Sequence, residues 1–435
     1  MTSLLDTVNR TLEAEEPVLY SALSGLGRRL AFPRDIPFQA AEARGKRYNA
    51  TIGQITDGEG RILALPSVAR ALAGLDEAER DRAIRYSPVE GIGELRDAWR
   101  RWQRRDVEEE ALSSRPVVTV GLTHGLSLVA DLFLEPGRCL AVPAPFWGNY
   151  RQTFVVRTGA ELVTAPAYRD GAYNCTAIEE ALDGSATVEP AVAILNLPSN
   201  PGGYSLTAME RPRVLESLKR AAERRPLVVV CDDAYAGLVY LPEVPGRSLF
   251  WDLVDVHPNL IPVKVDGGTK EFNLFGARVG FLTFALDPDG PAAEAIDSKL
   301  KCLIRAAVGS PVAPAQTLLA RALATPEIAD EVEAVRRTLA ERFRVLAARL
   351  ARVDAGLLRA LPFNSGCFSL VELAGDTRGR AEAVRRTLLD RHDAGVIASG
   401  DGFLRIAFCS VEAADLERLV DRLELAAREV VAESS

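Results

Sequence analysis

Lys270 and Arg278 stand eight residues apart in a polar turn between two apolar runs of β-rich composition, within the stretch Ile261 to Phe284. A lysine ordinarily occupies a solvated face. Held in a pocket beside other cations, its amine gives up its proton more readily and can form a Schiff base with a carbonyl compound. Asp232 and Asp233 close the apolar run that starts at Val228, at the C-terminal end of an expected strand. Open α/β sheets bind ligands at such strand ends, although an Asp-Asp pair there also reads as a turn or helix cap. Asn200 sits in a proline-stiffened turn after the apolar run Ala191 to Asn196, and Gly121 joins another apolar run to a helical pattern. Backbone amides at a helix start, with the positive end of its dipole, make an anion site. Arg405 lies on an apolar strand pattern, where a charge needs a partner, and a planar guanidinium can fork a carboxylate.

The elements that position these groups follow from periodicity. Seven short apolar runs, Val117 to Val120, Cys139 to Val142, Glu161 to Thr164, Ala191 to Asn196, Leu227 to Cys231, Leu260 to Val265 and Gly280 to Phe284, alternate with helical segments. Several are apolar at consecutive positions, as strands covered on both faces must be. The alternation predicts an α/β fold with a mostly parallel sheet wrapped by helices. A helical pattern runs from Ser67, a plausible N-cap, to Arg104, broken at Tyr86 to Gly93, and helices dominate again from Ala292 to Val353. Strand-like Gly366 to Leu373 and Phe403 to Phe408, between helices near Arg380 to Arg391 and Ala413 to Val431, read as a second, smaller α+β domain. The first fifty residues hold amphipathic fragments and an extended arm, Phe32 to Arg44, that leads into a helix and suits packing on a partner.

Composition narrows the function. A chain of 435 residues with 48% apolar content can build two or three cored domains. No apolar run approaches the roughly 20 residues of a membrane span, and the start lacks a basic stretch followed by an apolar core, which reads as a cytoplasmic protein without membrane partners. A net charge of −8 argues against a nucleic-acid footprint. The six cysteines are scattered without a paired Cys-x-x-Cys spacing and read as free buried thiols. Three histidines without clustering argue against a zinc site, and the absence of a Gly-x-Ser-x-Gly elbow argues against one hydrolase class.

Six stretches together resemble the fold-type I aminotransferases of class I/II, which use pyridoxal 5'-phosphate; the likeness runs from about Asn49 to about Ala413. It implies an α/β large domain with a mostly parallel, seven-stranded-type sheet sandwiched by helices, plus a smaller α+β domain. The expected division is an N-terminal arm with part of the small domain over 1–66, a large cofactor-binding domain over 67–310 and a C-terminal small domain over 311–435. By resemblance Lys270 is the Schiff-base lysine and proton carrier, Arg278 holds the cofactor phosphate, and Thr269 matches the cofactor-binding residue before the lysine. Gly267 stands where the family often has a serine. Asp232 takes the pyridine nitrogen, where a carboxylate keeps the ring an electron sink, Tyr235 and Asn200 take the ring oxygen, and Asp233 is a bystander. Gly121, Leu122 and Thr123 form the phosphate cup, with His124 packing or capping, and Trp147 stacks on the ring. Tyr86 reaches the phosphate of a neighbouring subunit's cofactor, so the resemblance implies a homodimer with shared active sites. Arg405 forks the substrate α-carboxylate, Gly53 belongs to the substrate site, and Arg305 resembles the arginine that reads a distal carboxylate, although Ala306 to Gly309 depart from that pattern.

The expected activity is a ping-pong transfer of the amino group of an L-amino acid, aspartate, glutamate or aromatic, to a 2-oxo acid. A β-lyase, oxidase or decarboxylase on the same fold shares the cofactor residues and is the alternative. A DNA-binding regulator carrying this fold lacks support, because the first fifty residues show no clear helix-turn-helix.

Overall fold

The seven apolar runs form one sheet in the computed structural model, which describes residues 4–33, 35–107, 111–186 and 190–433. They are β1 (Val117–Val120), β2 (Cys139–Ala144), β3 (Glu161–Pro166), β4 (Ala191–Asn196), β5 (Leu227–Asp232), β6 (Leu260–Asp266) and β7 (Val279–Phe284). The order across the sheet is β1-β7-β6-β5-β4-β2-β3. Every neighbouring pair is parallel except those of β7, which runs antiparallel to both β1 and β6. Consecutive strand residues face opposite ways. Val229 and Cys231 therefore enter one core and Val228 and Val230 another, which accounts for the unbroken apolar run of β5.

The polarity of the strands sets where the functional residues meet. Parallel strands deliver their C-terminal ends, and the reversed β7 its N-terminal end, to the same edge. Residues after β1, β2, β4, β5 and β6 and just before β7 consequently meet in one place, the location at which open α/β sheets bind ligands.

A second, antiparallel sheet holds β8 (Leu358–Ala360), β9 (Ser369–Leu373), β10 (Ile397–Ser399) and β11 (Phe403–Ile406) in the order β8-β9-β11-β10. Helices Ala381–Arg391 and Ala413–Ala432 share a core with it. The chain's early segment joins this sheet's neighbourhood, since Tyr48 and Asn49 pair in parallel with Ala394 and Gly395. The two sheets meet at the turn after β4. Gly203 O accepts from the amides of Asn364 and Ser365 at 2.9 and 3.0 Å, and the Asn364 side chain bonds both the amide and the carbonyl of Ser205. A Cβ on Gly203, at φ +69, would lie 1.8 Å from Phe368 O, so no other residue fits that contact.

Several local expectations differ from the structure for identifiable reasons. Ser67 is not an N-cap: Pro66 begins the helix Pro66–Ala73, and the Ser67 amide and hydroxyl both bond the Glu331 carboxylate. The expected break at Tyr86 to Gly93 separates Glu77–Ile84 from Gly93–Gln103, and a further break divides the first part into Pro66–Ala73 and Glu77–Ile84, the latter opened by a reciprocal Asp76–Glu79 capping box. The N-terminal fragments are four helices, Leu4–Glu15, Pro17–Ala22, Gly25–Arg29 and Ile36–Glu42. Of the six free cysteines, Cys302 is exposed and the other five are buried. Among the described residues no helix is long and apolar enough to cross a membrane, and no His, Cys, Asp and Glu cluster suits a metal ion.

Beneath the sheet edge, on the face away from Asp232, a buried charge network braces β5 and β6. Lys264 Nζ lies 3.3 Å from Asp233 Oδ2 and contacts Asp266, while Asp266 also accepts from Trp99 Nε1 at 3.0 Å and Gln103 Nε2 at 2.9 Å. Trp99 stacks on Phe281 with centroids 4.4 Å apart. Burial alone would strip the proton from Lys264; the two carboxylates override it and hold its pKa above the ordinary value. Lys264→Met leaves both acids buried without their counter-ion, and we expect it to lower the unfolding free energy by about 3–5 kcal/mol in urea titrations at pH 7. A loss within the range of a surface substitution would show that the network does not brace the edge.

Candidate functional site

Apart from Arg405, which lies within β11, the functional side chains are placed by the ends of strands. Asp232 terminates β5, Asn200 lies in the turn after β4, Trp147 in the turn after β2, Gly121 to Thr123 open the helix Gly121–Phe133 directly after β1, and Lys270 sits in the one-turn helix Gly268–Glu271 after β6. Arg278 immediately precedes β7. Gly53, Leu122, Thr123, Trp147, Asn200, Asp232, Tyr235, Thr269, Lys270, Arg278 and Arg405 line a single pocket at this edge. Gly121 stands beside it against Arg278.

Asp232 and Asp233 differ because adjacent strand residues face opposite ways. Asp233 turns to Lys264, an ion pair and not a cap. Asp232 turns into the pocket, where Tyr150 Oη donates to Oδ2 and the Ala234 amide donates to Oδ1 at 3.2 Å. None of its bonding partners is a cation. Burial pushes its pKa up to about 6 against the lowering by those two hydrogen bonds, so this is a carboxylate in search of a positive charge.

Lys270 Nζ donates to Gly53 O at 3.0 Å and lies 4.8 Å from the Phe275 ring centroid and 5.6 Å from that of Tyr235. Burial lowers its pKa, and the nearby Arg278 and Arg405 push the same way. A neutral amine, able to attack a carbonyl, is correspondingly easier to reach.

Arg405, on β11, is 2% exposed, donates Nη1 to Asn200 Oδ1 at 3.1 Å and Nη2 to Thr51 O at 2.6 Å, and lies 4.4 Å over the Phe368 ring. Its Nε has no partner. Burial drops its pKa to about 10, the response of a guanidinium with no carboxylate beside it.

At the opposite end of the pocket, Gly121 has φ +75, and a Cβ there would stand 2.4 Å from Arg278 Nη2. Glycine thus lets the helix start close on the guanidinium. The Thr269 hydroxyl is buried without a partner, and Arg278 donates one bond, from Nη1 to Phe275 O at 3.3 Å. Free helix-start amides, a hydroxyl and a guanidinium form a cradle for a phosphate-sized anion. Gly267 departs from the serine of the resembled family because a Cβ there would meet Val279 O at 2.5 Å. His124 caps the same helix, its Nδ1 accepting the Val120 amide at 3.0 Å.

The donor set therefore fits pyridoxal phosphate end to end: an anion cradle, an amine for its aldehyde, an unpaired acid for its nitrogen and the Trp147 ring over the space between. Two expected members lie elsewhere in the chain. Tyr86 is 97% exposed and Arg305 is exposed on the helix Pro291–Val308, so neither lines the pocket of its own subunit. Three participants were missed. Tyr150 was legible, since it lies three residues after Trp147 in the stretch Pro145-Phe146-Trp147-Gly148-Asn149-Tyr150. Asn196 donates to Asp232 O at 2.8 Å and accepts the Asn200 amide at 2.6 Å, and Phe368 supports Arg405; both depend on contacts between distant segments.

The fold and this constellation define an α/β protein with a ligand site at its strand ends. Residues 48–423 match the family described as aminotransferase class I and II, and the chain belongs to that family. It is 26% identical over 262 residues to an aspartate aminotransferase of Streptomyces avermitilis, covering 54% of this chain and 61% of that protein. The match thus spans less than two thirds of that relative. An asparagine--oxo-acid transaminase of Streptococcus mutans is 22% identical, over 76% of this chain and 79% of its own. The fold is that of an aminotransferase from Anaerococcus prevotii, with a TM-score of 0.80 at 22% identity over 93% of this chain and 99% of the other. The α-aminoadipate aminotransferase of Thermus thermophilus, solved with N-(5'-phosphopyridoxyl)-L-leucine, gives 0.76 at 23% identity over 95% and 99%.

The raised pKa of Asp232 makes a linkage prediction for the cofactor-free protein. An acid whose folded pKa exceeds its unfolded value stabilises while protonated and loses that contribution as pH rises through the folded pKa. Between pH 4 and pH 7, Asp232→Asn should therefore gain stability relative to the parent chain by on the order of 2–3 kcal/mol, read from paired urea titrations. A difference that stays flat with pH would place a cation on Asp232 in the free protein.

Proposed function

We propose that the chain is a pyridoxal 5'-phosphate-dependent aminotransferase that moves the amino group of an L-amino acid, aspartate, glutamate or aromatic, to a 2-oxo acid by a ping-pong sequence. The carrying observation is the pairing, within one pocket, of the depressed amine of Lys270 with the buried, carboxylate-free guanidinium of Arg405. The first suits a carbonyl partner and the second suits the α-carboxylate of an amino acid.

When bound, the cofactor supplies an aldehyde and a protonated ring that withdraws electrons from the substrate's α-carbon. The chain's residues do the rest. Asp232, oriented by Tyr150, holds the proton on the ring nitrogen. Tyr235 and Asn200 would take the ring oxygen, and Trp147 would stack on the ring. Gly121, Leu122, Thr123, Thr269 and Arg278 hold the phosphate. Arg405 fixes the substrate carboxylate, and Lys270, once free, carries the α-proton; such positioned proton transfer is typically worth about 10²–10⁴-fold. The division into an arm with part of the small domain (1–66), a cofactor domain (67–310) and a small domain (311–435) belongs to the same proposal, because Arg405 comes from the small sheet and Lys270 from the large one.

The working unit we propose is a cytoplasmic homodimer. Six free cysteines suit a reducing compartment. Ile84 and Tyr86 stand exposed on one segment, and Val308 and Val312 on another, and Ser87 Oγ joins the two segments by donating to Pro311 O at 2.8 Å. Such a cluster suits a subunit interface, with Tyr86 delivered to the neighbour's phosphate and Arg305 to the neighbour's substrate.

Lys270→Ala should abolish the visible absorbance band of the lysine-bound cofactor and all amino exchange; a band that survives removes Lys270 from its role. Arg405→Lys keeps the charge and loses the fork. It should raise KM for every L-amino acid by about 10²-fold, on the scale of a lost charged hydrogen-bond pair, with the absorbance band intact. An unchanged KM would assign the substrate carboxylate elsewhere.

A further inference from the structure

Lys270 sits on backbone that has little means of holding itself. Its helix, Gly268–Glu271, is a single turn entered through two glycines, Gly267 and Gly268. Its backbone bonds are long, 3.3 Å from Phe272 N to Gly268 O and 3.2 Å from Asn273 N to Lys270 O. A first helical turn fixes several dihedral angles for each bond gained, and glycine gives up more conformational freedom than any other residue, so such a turn is unstable alone. The amine it carries must still be aimed closely, because reaction rates fall steeply with misplacement of the reacting groups.

Most of the restraint comes from one helix. Upstream of the turn, Asp266 accepts from Trp99 Nε1 and Gln103 Nε2, both on the helix Gly93–Gln103. Downstream, the buried Phe272 ring lies 5.9 Å from Trp99 and 5.1 Å from Trp102 between centroids, and Asn273 donates Nδ2 to Leu63 O at 2.7 Å. Between these anchors, next to Lys270 itself, the Glu271 carboxylate accepts from Arg105 Nη2 at 2.9 Å. Arg105 follows directly on the same helix, where its guanidinium lies 4.2 Å from the Trp102 ring centroid and its Nη1 donates to Trp102 O at 2.9 Å.

Glu271 is 9% exposed and does not line the cofactor pocket, whereas its neighbours Thr269 and Lys270 do. Burial raises its pKa and Arg105 opposes the rise, so the guanidinium offsets the cost of holding an acid there. A Cβ on Gly237 would stand 3.5 Å from Glu271 Oε1 and 3.8 Å from Arg105 Nη2. The ion pair therefore joins three pieces: the turn of Lys270, the end of the helix Gly93–Gln103 and the loop that follows Tyr235.

Resting on the aminotransferase reading, we infer that Glu271 and Arg105 are positioning residues for the reaction, their ion pair clamping the one-turn helix so that the Lys270 amine keeps its aim into the pocket. Neither residue touches the reacting atoms. The pair holds the turn on the side away from the pocket while Lys270 reaches into it.

The test compares the parent chain with Arg105→Ala, Glu271→Gln and the double variant, all full length. In the cofactor-free proteins, hydrogen exchange read by mass spectrometry should be about tenfold faster over residues 268–273 in each variant and unchanged in β5. In the cofactor-loaded proteins, rapid mixing with L-aspartate, L-glutamate and L-phenylalanine follows the bleaching of the visible band. Each single variant should slow bleaching at saturation about tenfold and move the half-saturating concentration less than twofold. The double variant should be no slower than the slower single one, as two members of one clamp require. Exchange or bleaching unchanged in both single variants overturns the inference. So does a loss confined to the half-saturating concentration, or a double variant slowed by the product of the two single effects. Slowing that tracks a fall in the urea unfolding midpoint likewise overturns it, since the pair would then serve the fold alone. The two readings fail separately: a parent band that resists all three amino acids overturns the aminotransferase reading, while exchange over residues 268–273 still decides the clamp.

Discussion

Two adjacent carboxylates at the end of one strand govern the site. The period of two along β5 forbids Asp232 and Asp233 from sharing an environment. Asp233 is drawn to Lys264 on the far face, where a tryptophan, a glutamine and a second aspartate complete a closed network. Asp232 is left on the near face with a phenol and an amide but no cation. The fold thus spends its buried ammonium on one acid and keeps the other electrostatically open. The same separation recurs across the pocket, where Arg405 has amide and carbonyl acceptors but no acid.

These groups of opposite sign are buried in one pocket without neutralising each other. Buried charges are ordinarily paired or shift toward neutrality, and both shift here, Asp232 upward to about 6 and Arg405 downward to about 10. The rigid frame accounts for their persistence. Asp232 is fixed by Tyr150 and by the sheet, while Arg405 is fixed by Asn200, Thr51 and the face of Phe368. A ligand that brings a cationic ring at one end and a carboxylate at the other relieves both at once, which is the binding logic of a preorganised site.

Much of this was legible in the sequence. Consecutive apolar residues announced the doubly covered strands, and the lysine, aspartate and asparagine positions lay at the ends of those strands, where ligand sites form. A lone arginine on the apolar run of β11 signalled a charge needing a partner. The less legible parts were those created by contacts between distant segments. Ser67 looked like a cap until Glu331, far away in sequence, claimed its amide and hydroxyl. Nothing local marked Phe368 as the platform under Arg405. The turn of Lys270 proved to be a single helical turn, too short for any periodic pattern to reveal.

The joint at Gly203 has a mechanical consequence. The loop that carries Asn200 is bonded through Gly203 and Ser205 to residues 364 and 365, and Asn200 itself is bonded to Arg405. The loop is therefore held by hydrogen bonds to the segment that leads into β9 and to Arg405 on β11. Any displacement of the segment around residues 364 and 365 would pull directly on this loop, so the Asn200 amide and the Arg405 guanidinium keep their mutual aim only as long as the joint holds.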